Sequence, residues 1–265
     1  MLLSACIEWI FKNEHNDVCD RVRAAQRAGL GAVEFHQWRN KPLDDLERVL
    51  GETGMHLTSF IVEPRCLLVD LNAQAATLAA VGESVAVAKR LNVPAVVLAS
   101  GPILPDVPRS AHHHAMVQNL RAAAPLAEDA GVTVILEPLN TRVDHPGLYL
   151  DSTVEGLDII EEVDRPGVKL LYDMYHSTAM GESPEEVLGD RIHLVGHVQV
   201  ADSPGRREPG SGNIDWPQYM RVLKAKGYTG AIGLEYRPTA DSLDSIRLTY
   251  KTLGLRDGAD PRWPK

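Results

Sequence analysis

An α/β fold in which eight parallel strands close into a (β/α)8 barrel is what this sequence predicts, on three observations. Short apolar, β-branched runs alternate with longer stretches of helical periodicity, about eight times along the chain. Several runs are continuously apolar, such as Val96-Val97-Leu98 and Val134-Ile135-Leu136, as strands buried on both faces are. The chain has 265 residues, and a barrel of this kind takes about 250. No glycine-rich nucleotide fingerprint follows any strand, which speaks against an open sheet built for dinucleotides.

In chain order, strands are expected over 2–10, 32–36, 57–62, 95–100, 133–139, 169–175, 194–201 and 231–236. Between them, residues 17–28 form a helix that stops at Gly29, and residues 74–91 form one that stops before Pro94. A helix over 117–130 ends at Gly131. Ser152 with Glu155 three positions on is a capping-box pattern that opens a helix reaching Val163. Asp215 followed by Trp216-Pro217 marks a further helix start, and that helix ends near Gly227. The run His112-His113-His114 reads as a solvated turn, because adjacent histidines do not converge on one ion. No linker divides the pattern, so residues 1–255 are expected to form a single barrel domain. The polar tail 256–265 reads as a surface extension.

Composition narrows the function. Hydrophobic residues make up 44% and charged residues 24%, the balance of a soluble globular protein, and no apolar run is long enough for a membrane helix. The first residues read as a strand rather than a signal peptide. Three scattered cysteines, Cys6, Cys19 and Cys66, indicate a reducing cytoplasm and no disulfide framework. A net charge of -9 disfavours nucleic acid and acidic membranes as partners. Homo-oligomerisation is left open.

The informative residues are polar groups that interrupt apolar strands near their C-terminal ends. Val134-Ile135-Leu136 runs into Glu137, Leu170-Leu171-Tyr172 into Asp173, the strand through Val198 into Gln199, and Ile232-Gly233-Leu234 into Glu235. In a barrel those ends converge on the face that carries the catalytic loops. Facing carboxylates repel one another and are costly to bury, and a divalent cation removes that cost. Three carboxylates and one amide oxygen make a hard-oxygen site, suited to one Mg2+ or Mn2+ per chain.

Several motifs carry a family resemblance. Glu137-Pro138-Leu139-Asn140, Tyr172-Asp173-Met174-Tyr175-His176, Gly196-His197-Val198-Gln199-Val200-Ala201-Asp202, Glu208-Pro209-Gly210-Ser211-Gly212 and Gly233-Leu234-Glu235-Tyr236 resemble the hydroxypyruvate isomerase family of the xylose isomerase-like barrels. The resemblance covers nearly the whole chain and is strongest over 131–238. It implies Glu137, Asp173, Gln199 and Glu235 as metal ligands and Glu137 and Glu235 as the acid/base pair. It also implies His176 and Arg206 as substrate contacts, and Asn140 is grouped with them. Gln199 stands where the sugar epimerases of the superfamily usually have histidine, which points to the hydroxypyruvate isomerase branch. One segment departs from the pattern: residues 62–70, after the third strand, lack the longer loop with Gly-Asp-Trp and Gly-Glu-Arg-Gly.

The expected reaction moves a carbonyl between adjacent carbons through an enediolate, hydroxypyruvate giving tartronate semialdehyde. A glutamate removes the carbon-bound proton, and a glutamate returns it to the neighbouring carbon. Arg206 suits the substrate carboxylate through its bidentate fork, with Arg237 a weaker candidate. His197 lies on the same side of its strand as Gln199 and is either a support for the site or core. Asp202 either orients Arg206 or caps its loop. Trp9, His36 and Trp38 follow early strands and either wall the pocket or pack on the barrel.

Rival readings stay within or near the same fold. They are a ketose 3-epimerase or 2-oxo-acid sugar isomerase, a metal-dependent lyase or dehydratase of keto-sugars or cyclitols, a multi-metal DNA-repair nuclease, and a non-catalytic sugar-binding barrel. The net charge speaks against the nuclease. Two glutamates placed as an acid/base pair speak against binding alone.

Overall fold

A computed structural model describes residues 1–255, so the expected tail lies outside the described residues. The strands are β1 (Leu3–Cys6), β2 (Ala32–Glu34), β3 (His56–Leu57), β4 (Ser59–Ile61), β5 (Ala95–Ala99), β6 (Thr133–Glu137), β7 (Val168–Asp173), β8 (Val195–Val200) and β9 (Ile232–Leu234). The helices are α1 (Val18–Arg27), α2 (Leu43–Thr53), α3 (Gln74–Arg90), α4 (Arg109–Glu128), α5 (Thr153–Val163), α6 (Met174–Ala179), α7 (Pro184–Leu188), α8 (Trp216–Ala225) and α9 (Ser242–Thr252). The strand pairs are parallel, as expected of strands joined through helices.

Contacts gather into two compact units, one of Met1–Thr58 with residues 197–255, the other Ser59–Gly196. In the first, the strands lie in the order β3-β2-β1-β9-β8. Ser4 pairs with Ala32 and with Gly233, Cys6 with Glu34, and Gln199 with Gly233. Because side chains alternate along a strand, this register puts Ser4, Cys6, Glu34, His197 and Gln199 on one face. Leu3, Ala5, Val33, Val198, Val200 and Leu234 are buried on the other. In the second unit the order is β7-β6-β5-β4, and Ala95, Val97, Ile135 and Leu171 form an apolar cluster with Ile61 against it. Glu137 and Asp173 follow Ile135 and Leu171 by two residues on the same strands. The face that is apolar along the strands therefore turns polar where they end.

Local signals set most helix ends. The Asp17 carboxylate accepts the backbone N–H of Cys19 at 2.8 Å and opens α1. Ser152 accepts the N–H of Glu155 at 3.3 Å and opens α5. Asp215 accepts the N–H of Gln218 at 3.0 Å and opens α8. Each satisfies a donor that the first turn leaves unpaired.

Three expectations need correction. The first strand stops at Cys6, because the N–H groups of Trp9 and Ile10 both turn back to the Cys6 carbonyl, at 3.1 and 2.9 Å. The run 57–62 is divided at Thr58 into β3 and β4. The histidine run lies inside α4. Residues on a helix are spaced by about 100°, so the three rings diverge. His112 is fully buried, accepts the N–H of Leu104 at 2.9 Å and stacks on Tyr149, while His113 faces Glu162 at 3.0 Å.

Candidate active site

In the second unit, Glu137 ends β6, Asp173 ends β7, and His176 sits in the first turn of α6. All three are buried. One oxygen of Asp173 is spent locally: Oδ1 accepts the N–H groups of Tyr175 and His176 at 2.7 and 3.2 Å and caps α6. The other, Oδ2, lies 3.6 Å from His176 Nε2, and Glu137 Oε1 lies 3.9 Å from the same nitrogen.

Asn140 decides which nitrogen of His176 carries the proton. Its Oδ1 accepts the N–H groups of Val143 and Asp144, at 3.0 and 2.9 Å, so its Nδ2 must point the other way. That amide donates to Asp144 Oδ2 at 2.8 Å and to His176 Nδ1 at 2.6 Å, and the Asn140 backbone N–H reaches the same Nδ1 at 3.2 Å. A nitrogen that accepts two N–H groups has no proton, so in the neutral ring the proton sits on Nε2. Nε2 is the nitrogen turned toward Glu137 and Asp173. Asn140 itself is fully buried with both ends of its amide engaged, behind His176.

In the first unit, Gln199 is buried on β8. Its Nε2 donates to Glu34 Oε1 at 2.7 Å, and its Oε1 is buried with no hydrogen-bond partner among the described residues. His197, two positions earlier, is buried and places Nε2 3.0 Å from Glu34 Oε2, the carboxylate that also holds Gln199. Thr58 donates to the same Oε2 at 3.0 Å.

Glu235 follows β9. Its Oε1 accepts from His36 Nε2 at 2.8 Å and pairs with Arg206 at 3.2 Å. Burial opposes a charge on His36, but Cys6 and the Glu235 carboxylate outweigh it and push its pKa up to about 11. Trp9 meets the His36 ring edge-on, and the guanidinium groups of Arg206 and Arg237 lie 4.9 and 5.2 Å from the Trp9 ring centre. Trp9 and His36 thus touch predicted site residues, whereas Trp38 is buried beneath the Arg39 guanidinium.

The loop that carries Arg206 is tied to Asp202. This carboxylate accepts the N–H groups of Ser203, Gly210 and Ile214 and the indole N–H of Trp216, at 2.8 to 3.2 Å. Of its two expected roles, loop capping is therefore observed directly. Gly212 packs so closely that a Cβ would come within 2.4 Å of the Ser203 carbonyl oxygen. The glycine is required by contact.

The donor chemistry fits a hard divalent cation. A buried amide oxygen without a partner is unfavourable unless something outside the chain satisfies it, and Gln199 Oε1 is such an atom. Glu137 and Asp173 place two carboxylates near one imidazole, where like charges repel unless a cation is bound. His176 adds no lone pair to that set, since its Nε2 holds the proton. The thiol, imidazole and carboxylate of Cys6, His36 and Glu235 also lie close together. Burial pushes the Cys6 pKa up, and His36 Nε2 must donate to Glu235, so this group is a hydrogen-bonded cluster rather than a second metal centre.

Glu34 is the residue the sequence reading missed. It is a buried carboxylate ending an apolar strand, the same signal that singled out Glu137 and Glu235. The apolar and aromatic run continues through Phe35 to His36, which hides the strand end at Glu34.

The chain belongs to the xylose isomerase-like TIM barrel family, whose match spans residues 22–252, and within it to the hydroxypyruvate isomerase family. It is 31% identical to the putative hydroxypyruvate isomerase of Homo sapiens, over 92% of each chain. It is 32% identical to the 2-oxo-tetronate isomerase of Cupriavidus necator, over 91% of this chain and 95% of that one. The crystal structure of AP endonuclease, family 2 from Brucella melitensis superposes with a TM-score of 0.87, at 27% identity, over 94% of this chain and 98% of that one. The fold is thus the expected (β/α)8 barrel, and the chain is an isomerase.

Proposed function

We propose that this chain isomerises a small α-hydroxy keto acid, hydroxypyruvate to tartronate semialdehyde, through an enediolate. Residues 1–255 act in this reading as one catalytic barrel domain in a reducing cytoplasm, in keeping with three free thiols. Glu137, Asp173, Gln199 and Glu235 hold one Mg2+ or Mn2+. When bound, that cation would act as a Lewis acid that stabilises the negative charge of the enediolate.

Glu137 and Glu235 are the acid/base pair. One takes a proton from the hydroxymethyl carbon, and the same or the other returns it to the former carbonyl carbon. His176 supplies a hydrogen bond from Nε2 to a substrate oxygen, with its proton held there by Asn140. Arg206 pairs with the substrate carboxylate.

One observation carries most weight: a buried carboxylate, Glu137, stands near an imidazole N–H whose tautomer is dictated by the hydrogen bonds that orient Asn140 and by those Asn140 donates to the ring. Binding alone needs no such proton bookkeeping. The test is a substrate panel followed by proton NMR, with hydroxypyruvate, a 2-oxo-tetronate, a ketose and an abasic-site DNA duplex. Conversion of a keto acid with the duplex intact is expected. Epimerisation of the ketose with no keto acid turned over, or cleavage of the duplex, overturns the reading.

A further inference from the structure

We infer that Glu34 is a positioning residue: it selects which atom of the Gln199 amide faces the metal site. The inference rests on the reading of Gln199 as a ligand and goes beyond it to what makes that glutamine able to ligate.

An amide side chain is nearly symmetric in shape, and its two ends have opposite chemistry. One offers lone pairs to a cation, and the other offers N–H groups that repel it. Nothing in the length or flexibility of glutamine chooses between them. A carboxylate behind the amide does choose, because it can only accept. Glu34 Oε1 lies 2.7 Å from Gln199 Nε2, so the amide must give its nitrogen to Glu34 and turn its oxygen away. That oxygen is the buried, unpartnered Oε1.

Glu34 is itself fixed. Its second oxygen, Oε2, accepts from His197 at 3.0 Å and from Thr58 at 3.0 Å, and Ser4 stands 2.7 Å behind the Thr58 hydroxyl. His197 and Gln199 lie two residues apart on β8 and so share a face, and both reach the one carboxylate. Gly233 makes room for the pair. A Cβ there would come within 2.5 Å of Glu34 Oε1 and 2.8 Å of Gln199 Cγ. A glycine inside a strand, where it weakens the strand, marks such a close approach.

Glu34→Gln keeps the size and removes the rule. If the new amide turns its nitrogen toward Gln199, Gln199 must answer with its oxygen and aim N–H groups at the metal. If it turns its nitrogen the other way, it meets the His197 and Thr58 donors. Adding Gln199→Glu to Glu34→Gln restores a consistent pattern. The amide at position 34 then donates to a carboxylate at position 199 and still accepts from His197 and Thr58. The second oxygen at position 199 is again available to a cation.

The experiment measures Mn2+ affinity of the full chain after chelator treatment, by electron paramagnetic resonance of free Mn2+, with thermal unfolding in parallel. Changing a residue that orients a metal ligand typically costs about 10–100-fold in metal affinity, and that loss is expected for Glu34→Gln. Recovery to within about threefold of wild type is expected for the double variant, set against the same 10–100-fold scale. Gln199→Ala tests the underlying reading. If it binds Mn2+ like wild type, Gln199 is no ligand and that reading falls. If it loses affinity while folded Glu34→Gln does not, Gln199 ligates without help from Glu34 and the inference alone falls. Should Glu34→Gln fail to fold, the double variant decides. A double variant that does not fold, or folds without regaining affinity, overturns the positioning role.

Discussion

Glu235→Gln separates chemistry from architecture. The carboxylate accepts from His36 at 2.8 Å and from Arg206 at 3.2 Å through the same Oε1. An amide oxygen can occupy that position and keep both bonds, so only their charge assistance is lost. That loss is about 1 kcal/mol per bond, or about 2 kcal/mol in all, and relief from burying an anion offsets part of it. The melting temperature should fall by no more than about 4–8 °C. The other oxygen becomes an NH2 group, which can neither take a proton nor offer a lone pair to the cation, so Mn2+ occupancy of the variant is measured before turnover is compared. Loss of a general base lowers turnover by about 10²–10⁴-fold, equivalent to about 2.7–5.4 kcal/mol in the barrier. The assay follows exchange of the hydroxymethyl hydrogens of hydroxypyruvate with solvent deuterium, by NMR, at saturating Mn2+. Wild type should exchange and isomerise, while the variant stays folded and does neither at a comparable rate. A metal-loaded variant that exchanges and isomerises at nearly the wild-type rate would leave Glu235 as a ligand only and refute the two-glutamate mechanism.

Other consequences are open to direct measurement. Glu137→Gln should also lose about 10²–10⁴-fold in turnover, and an unchanged kcat would remove Glu137 from proton transfer. Full chelation should abolish activity and Mg2+ or Mn2+ should restore it; turnover that survives chelation counts against the cation. Arg206→Lys keeps the charge but loses the fork, so KM should rise with Mn2+ affinity little changed, and equal KM values would release Arg206 from the substrate. Lys41 donates to Glu8 at 2.5 Å in a largely buried pair. Burial raises the Glu8 pKa, but Lys41 outweighs it and the net shift is downward. A lowered carboxylate pKa stabilises the fold above the unfolded value, and that stability is lost as pH falls through the folded value. Lys41→Met should therefore cost about 1–3 kcal/mol at neutral pH and flatten the acid limb of the stability profile. Chemical denaturation between neutral and acid pH checks both.

The fold was legible because its signals are local and repeated. Apolar runs such as Val134-Ile135-Leu136 announce buried strands without reference to anything distant, and Asp17, Ser152 and Asp215 announce helix starts through their own side chains. Glu137, Asp173, Gln199 and Glu235 were legible as polar residues at strand ends. The supporting residues were harder to read. Glu34 acts toward Gln199, a residue 165 positions away, and nothing around either predicts the pairing. Asn140 was visible as part of a motif, yet its position behind His176 depends on a turn at Val143 and Asp144 that no periodicity foretells. The histidine run misleads because a solvated turn would expose all three rings alike, whereas the helix points one ring inward and another at a surface carboxylate.

Asp173 constrains how this chain can drift. One of its oxygens begins helix α6, and that helix carries His176. A substitution there is felt twice, once in the helix start and once beside the imidazole. Asparagine would retain an acceptor for the cap and give up the negative charge. Glutamate would retain the charge and move its oxygens one carbon further from the N–H groups they meet now. No single replacement preserves both, and the residues that follow in α6, Met174 to Ser177, are themselves buried. Active variants recovered from a random library should carry substitutions at Thr178 and Ala179, the less buried end of α6, far more often than at residue 173.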